Sequence, residues 1–282
     1  MQTKQQAAAG ELPLVNGIVP PGIYQNIPSD QYHGAPGISS SQVKLISEKS
    51  LAHFHAKYVT GEIQDKPSAA MKLGTLFHTA VLEPATIDDL YRLELDPADH
   101  PNALRGKDAI VARIKQINED IEDKSQKLKV TGTIAELTSR LLEVDPEAVL
   151  WDRLLAAAAE DPREVVSIAD WDTAHRMCES VMRHPLANNL LTGGEAESSI
   201  FAVEPNTGLP VKVRPDYLRR QDRMMVDLKS TRDASPFRWA KDAGLRGYHI
   251  QQAMYCHVPT LLEPALPIDD FVFVICENTP PM

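Results

Sequence analysis

Two acidic residues and a lysine stand out for their spacing: Asp216, preceded by Pro215, and the run Asp227-Leu228-Lys229. An acid two positions before a lysine is weak alone, because the composition gives about two such matches by chance. The chain has two, the other being Glu122-Asp123-Lys124 in a charged stretch of helical period. Context separates them. Met224 to Ser230 has the apolar character of a strand, where residues two apart share a face. Asp227 and Lys229 therefore project together while Val226 and Leu228 face the other way. Arg219 to Asp222 reads as a polar turn, and antiparallel pairing about a centre near Gln221 sets Asp216 opposite Asp227. Two carboxylates and an ammonium then meet on one sheet face. Like charges at that range repel strongly. A hard divalent cation with oxygen ligands relieves the repulsion, and magnesium fits a site of few carboxylates that keeps several waters. Such an ion acidifies water and offsets the charge of a phosphodiester, with Lys229 placed to steady developing charge. A surface strand whose Asp and Lys form a weak salt bridge accounts for the same spacing.

The elements that would position these groups fall into three stretches. Residues 1–38 hold Pro20, Pro21, Pro28 and Pro36 with several glycines and no sustained period, which predicts an extended N-terminal arm. Residues 39–192 read as mostly helical. Ser39 to Ser41 can cap a helix running to about Tyr58, and further helices are predicted over 69–82, 134–142, 147–160 and 170–183. Within 102–129, Ile110, Ile114, Ile117 and Ile121 form one helical stripe. Residues 193–282 turn to strands at 199–203, 209–218 and 224–230, then helices at 236–243 and 248–257, then a strand at 271–277. The predicted class is mixed α/β.

The chain has 282 residues, of which 43% are hydrophobic and 24% charged, the composition of a folded protein with a sizeable core. The apolar run Phe271 to Cys276 is too short to cross a bilayer, and the polar, alanine-rich start carries no secretory pattern. Three scattered cysteines, Cys178, Cys256 and Cys276, argue against a disulfide framework. The expected location is the cytoplasm, without membrane partners. A net charge of −10 disfavours nucleic acid at first sight. Its distribution is uneven: Pro205 to Ile250 holds ten Lys or Arg against five acids, so a locally basic segment sits in an acidic protein. That segment can face phosphates or be an ordinary solvated face.

The arrangement Pro215-Asp216…Asp227-Leu228-Lys229 resembles the motif of the PD-(D/E)XK nuclease superfamily, and the wider sequence is similar to RecE-type (exodeoxyribonuclease VIII-like) exonucleases and their phage-encoded relatives. The matches include Pro21-Gly22-Ile23-Tyr24, Gly37-Ile38-Ser39, Gly74-Thr75-Leu76-Phe77-His78, Leu82-Glu83-Pro84, Thr207-Gly208-Leu209-Pro210 and Gly247-Tyr248-His249-Ile250-Gln251. They span roughly 20–281, with a looser middle between 88 and 183. The resemblance implies a restriction-endonuclease-like core sheet flanked by helices and a mostly helical N-terminal half. It implies a magnesium-dependent exonuclease, with manganese able to substitute, that digests linear double-stranded DNA from the 5′ end and leaves 3′ single strands for recombination. It assigns the metal to His78, Asp216, Asp227 and the Leu228 carbonyl, and catalytic roles to Lys229, Asp216, Asp227 and Glu197, with Gln251 and Tyr255 as a Q-x-x-x-Y pair on one helix face. Gly74, one turn before His78, permits close approach of another backbone. The implied partners are DNA ends, further copies in a ring-like homo-oligomer, and a single-strand annealing protein. Relatives with iron–sulfur clusters use four cysteines, so none is expected. RecE-like domains continue past Glu277 into a further strand and helix, so a shortened, weakly active or inactive DNA-binding form is one alternative, and an endonuclease on the same core another.

Overall fold

The computed structural model describes residues 12–262 and 265–282; residues 1–11 of the expected arm lie outside them. From Leu12 to Ile38 the chain is packed rather than extended. Strand β1 (Gly22–Tyr24) pairs antiparallel with residues 199–201, and helix α1 (Ser29–Gly34) carries Tyr32 into the core. Val19, Tyr24, Ile27 and Tyr32 bury around Phe201, with the two tyrosine rings edge-on to it at 5.8 and 6.0 Å. Burial of these large side chains fixes a segment whose prolines and glycines lack a period.

Ser39 then opens helix α2 (Ser40–Glu48) with a capping box, its N–H donating to the Gln42 side chain at 2.8 Å. The helix expected to run on to Tyr58 is broken at Lys49, and Ser50 caps a fresh start by accepting from the His53 N–H at 3.3 Å. Helix α3 (Leu51–Phe54) ends in a single π turn over His55–Val59. Helix α4 (Ala69–Leu82) forms as expected, capped by Ser68, and buries Leu76, Phe77, Thr79 and Ala80.

The chain divides into two compact units, one ending at Ile87 and resuming over Ala169–Met282, the other spanning Asp88–Ile168. The change near residue 192 is therefore one of secondary structure within the first unit. The second unit begins within helix α5 (Ile87–Leu90) and holds β2 (Tyr91–Leu93), α6 (Gly106–Glu119), α7 (Ile134–Val144), α8 (Trp151–Ala159) and β3 (Glu164–Val166). Strands β2 and β3 pair in parallel. Ile110 and Ile114 of the predicted stripe bury against Leu137 and Leu141, whereas Ile121 lies past the helix end.

The first unit resumes with α9 (Ile168–Arg183), α10 (Pro185–Leu190), β4 (Glu195–Ala196), β5 (Ser199–Val203), β6 (Pro210–Val213), β7 (Tyr217–Arg219), β8 (Met224–Thr231), α11 (Pro236–Leu245), α12 (Tyr248–His257) and β9 (Asp270–Glu277). The single strand expected over 209–218 is split at Arg214-Pro215-Asp216, because Pro215 has no N–H to continue a ladder. β6 stays with β5 in the sheet β1-β5-β6, and β7 joins the sheet β4-β7-β8-β9. β8 is the centre of that second sheet, antiparallel to β7 and parallel to β9. A parallel neighbour requires a crossover, and α11 with α12 supplies it. Met225 packs with Leu218, Tyr255 and Phe271, while Cys276, whose strand pairs beside Ser230, donates its thiol toward the Met177 carbonyl of α9 at 3.8 Å. Among the described residues no helix is long and apolar enough to cross a membrane.

Gly194 lets the turn before β4 lie against β7. Its N–H donates to the Tyr217 hydroxyl at 2.9 Å, and a Cβ there would stand 2.6 Å from the Leu218 carbonyl oxygen. Backbone cannot yield as a side-chain tip can. Gly194→Ala should lower the unfolding free energy by about 2–3 kcal/mol through overpacking. Gly193→Ala meets open space at φ 77° and should cost only about 1 kcal/mol in backbone strain. Urea unfolding followed by circular dichroism measures both, and equal losses would contradict the close approach at Gly194.

Candidate functional site

The β7–β8 register fixes the centre of the site. Tyr217 lies opposite Val226, so Asp216, one step before β7, stands across from Asp227. The Leu228 N–H donates to Asp216 Oδ2 at 2.6 Å, which ties the carboxylate to the central strand where the ladder ends. Asp227 is 1% exposed. Its Oδ1 accepts from Gln251 Nε2 at 2.6 Å and its Oδ2 forms an ion pair with the Lys229 ammonium. Both partners follow from period: Lys229 is two positions on along β8, and Gln251 lies on the inner face of α12. Tyr255, one turn later, donates its hydroxyl to the Arg214 carbonyl at 3.0 Å and so holds the Arg214-Pro215-Asp216 corner.

Helix α4 delivers His78, with Nδ1 3.6 Å from Asp216 Oδ2. A Cβ on Gly74 would meet the Ser230 hydroxyl at 3.6 Å, ordinary contact, so the helix approaches a side chain and an alanine would fit. Glu197 sits between β4 and β5 at φ 51°, and its N–H donates to the Asp216 carbonyl at 3.0 Å. Its carboxylate pairs with Arg214 Nε at 2.5 Å. One ligand atom from each of His78, Glu197 and Asp216 lies within 4.8 Å of the others. The set that gathers is therefore these three. Asp227 adjoins it with its oxygens engaged by Gln251 and Lys229, and the Leu228 backbone lies beside the His78 ring.

The charges at this site are strained in one direction. Burial, and then the Asp216 charge, push Glu197 up to about 7 and Asp227 up to about 6. Asp216 is raised by burial, against the pull of Lys229, the Leu228 N–H and Arg214. Burial and then Lys229 bring His78 down to about 4, so the ring is neutral at pH 7 and offers a lone pair. Lys229 is lowered by burial, but Asp227 and Asp216 outweigh that and raise it. Three buried acids, two of them pushed up further by Asp216, beside a neutral imidazole make a donor set that suits a divalent cation, and the mixed nitrogen and oxygen donors admit manganese as well as magnesium.

Two residues at the site were not evident from sequence. Arg214 neutralises Glu197, and the only hint was its place in the basic run just before Pro215. Lys44 reaches in from α2, with its ammonium 5.6 Å from the Tyr248 ring, and is lowered by burial and by Lys229. The Lys229 ammonium lies 5.4 Å from the same ring.

Residues 156–275 match the family model described as a PDDEXK-like domain of unknown function, DUF3799, a span that includes Glu197, Asp216, Asp227, Lys229, Gln251 and Tyr255. A solved structure from Eubacterium rectale, of a protein described as a presumed exonuclease, is similar over 90% of this chain and 74% of its own. The TM-score is 0.52 and the identity 14%. No curated protein matches the chain. The fold is thus the restriction-endonuclease-like α/β fold of the PD-(D/E)XK superfamily, with helices flanking the core sheet.

Because Glu197 holds its proton up to about 7, a cation must displace that proton to use the carboxylate. Manganese affinity should fall about tenfold between pH 8 and pH 6, as the fraction ionised drops on either side of that value. Above pH 8 it should level off. Glu197→Gln should bind more weakly and lose most of the slope. Isothermal titration of manganese across this range checks both, and a flat wild-type profile would remove Glu197 from the ligand set.

Proposed function

We propose that the chain is a divalent-cation-dependent deoxyribonuclease. The observation that carries this reading is the gathering of His78, Glu197 and Asp216 donor atoms within 4.8 Å, next to the buried pair of Asp227 and Lys229. The RecE-type resemblance supplies the finer reading: digestion of linear double-stranded DNA from the 5′ end, with magnesium as the ion, yielding 3′ single strands for recombination. The description of the structurally similar Eubacterium rectale protein as a presumed exonuclease agrees with the nuclease part of this reading.

His78, Glu197 and Asp216 hold the ion in this reading, with Asp227 and the Leu228 carbonyl adjoining. When bound, the ion supplies an acidified water and offsets the negative charge of the phosphodiester. The protein's own groups do the rest. His78 stays neutral at working pH and so keeps its lone pair available. The Leu228 N–H fixes Asp216, and Arg214 offsets part of the repulsion that Glu197 meets. Asp227 holds the Lys229 ammonium at the edge of the cluster, and the Gln251 amide keeps Asp227 from turning away. Lys229 steadies negative charge as it develops on the phosphate oxygens. The proposal extends, on the same resemblance, to a cytoplasmic ring-like homo-oligomer that passes DNA ends to a single-strand annealing protein.

Digestion of end-labelled linear DNA with magnesium tests the activity. Label at the 5′ end should be released first, and closed circular DNA should persist. Lys229→Ala should lower turnover by about a hundredfold or more, since it removes a charge from where the transition state needs it. Lys124→Ala removes the lysine of the other acid-x-Lys match, in a short turn of the second unit, and should leave turnover unchanged. Equal effects from the two variants would sink the role given to Lys229, and no magnesium-dependent loss of label would sink the activity.

A further inference from the structure

Helix α11 rests on the site by one face and leaves the other uncovered. Inward, Trp239 lies against the rings of Tyr248 and Phe273 at 5.5 and 5.6 Å, and Tyr248 carries the Lys229 ammonium at 5.4 Å. One ring therefore separates the helix from Lys229. Outward, Phe237 is 76% and Leu245 69% exposed, with Lys241 exposed between them. Positions 237, 241 and 245 recur every four residues and form one stripe. Arg238 is exposed beside Phe237, and Arg232 and Arg246 are exposed at the helix ends. The acids nearby are Asp233, 3.9 Å from Arg238, the half-buried Asp242, and Glu277, whose carboxylate accepts from the Ala234 N–H at 2.7 Å just before the helix. Four cations against three acids, one of them held by backbone, leave this surface a slight positive balance in a chain of net charge −10.

An aromatic ring left in water contributes nothing to the core, and beside a positive surface it has the chemistry of a stacking platform. Single-stranded nucleic acid matches both features: each base offers a face to an aromatic ring, and each phosphate a charge to a lysine or arginine. A continuous duplex offers phosphates but no free base face. We infer that the outer face of α11 receives the unpaired strand at a DNA end, with Phe237 stacking on an unstacked base and Arg238 and Lys241 pairing with phosphates. The inference deepens the deoxyribonuclease reading and rests on it. It gives that enzyme a preference for frayed or tailed ends over blunt, paired ones.

The test uses the full chain and a fluorescent duplex with a short single-stranded tail, without divalent cation. By anisotropy, Phe237→Ala should weaken binding about tenfold, the range of one lost base–aromatic stack, and Phe237→Trp should restore it. A 2-aminopurine placed in the tail should be quenched by the wild type and by Phe237→Trp, and not by Phe237→Ala. The double variant Arg238→Ala, Lys241→Ala should reduce the salt dependence of binding by about two phosphate contacts, whereas Phe237→Ala leaves the slope unchanged. With magnesium, hydrolysis of bis(p-nitrophenyl) phosphate should be unaltered in all three. Wild-type affinity and quenching in Phe237→Ala would overturn the platform. So would unchanged DNA binding with a smaller assembly in light scattering, which would make the face a contact between copies. A wild type that binds tailed DNA but hydrolyses neither substrate overturns the nuclease reading alone, and one that hydrolyses with magnesium but does not bind the tailed duplex overturns the platform alone.

Discussion

Buried negative charge with too little positive charge beside it governs this structure. Asp216, Asp227 and Glu197 are withdrawn from water around one neutral imidazole, and each carboxyl is driven toward its protonated form. Lys229 and Arg214 answer part of the repulsion through one ion pair each. A cluster of this kind is unfavourable to fold around unless something else occupies it in use. A divalent cation removes the repulsion and converts the strain into affinity.

The fold brings the groups together from five separate stretches of chain, one of them the turn that carries Glu197. The central strand β8 contributes Asp227 and Lys229 by simple alternation, and antiparallel pairing with β7 adds Asp216. Pro215 breaks the preceding strand, so the chain leaves one sheet and enters the other at the residue that needs a free carboxylate. Helices α4 and α12 close on opposite sides of that strand, one delivering His78 and the other Gln251 and Tyr255. The aromatic layer of Trp239, Tyr248 and Phe273 then carries α11 against α12 and β9, with Tyr248 beneath the Lys229 ammonium.

Much of this was legible locally. The period-two spacing of Asp227 and Lys229, and the near symmetry of Asp216 and Asp227 about Gln221, determine their juxtaposition without knowledge of the fold. The helix start at Ser39 and the helix over 69–82 were equally plain. What was not legible depends on contacts distant in sequence. His78 stands far from Asp216 along the chain, so only resemblance pointed to it. The segment 12–38 lacks period because its order comes from packing on Phe201 and from Lys212, whose ammonium donates to the carbonyls of Tyr32, His33 and Ala35. Arg214 and Lys44 carry no spacing signal, and both act through partners on other elements. The boundary of the 88–168 unit was hidden because its helices have the same amphipathic period as those flanking it.

Diffraction from crystals soaked in manganese, recorded at the manganese absorption edge, tests the central claim most directly. The account predicts an anomalous peak within bonding distance of His78, Glu197 and Asp216, and no such peak in Asp216→Asn crystals soaked in the same way. A wild-type map with no peak among those three residues, or with one only at another position, would contradict it.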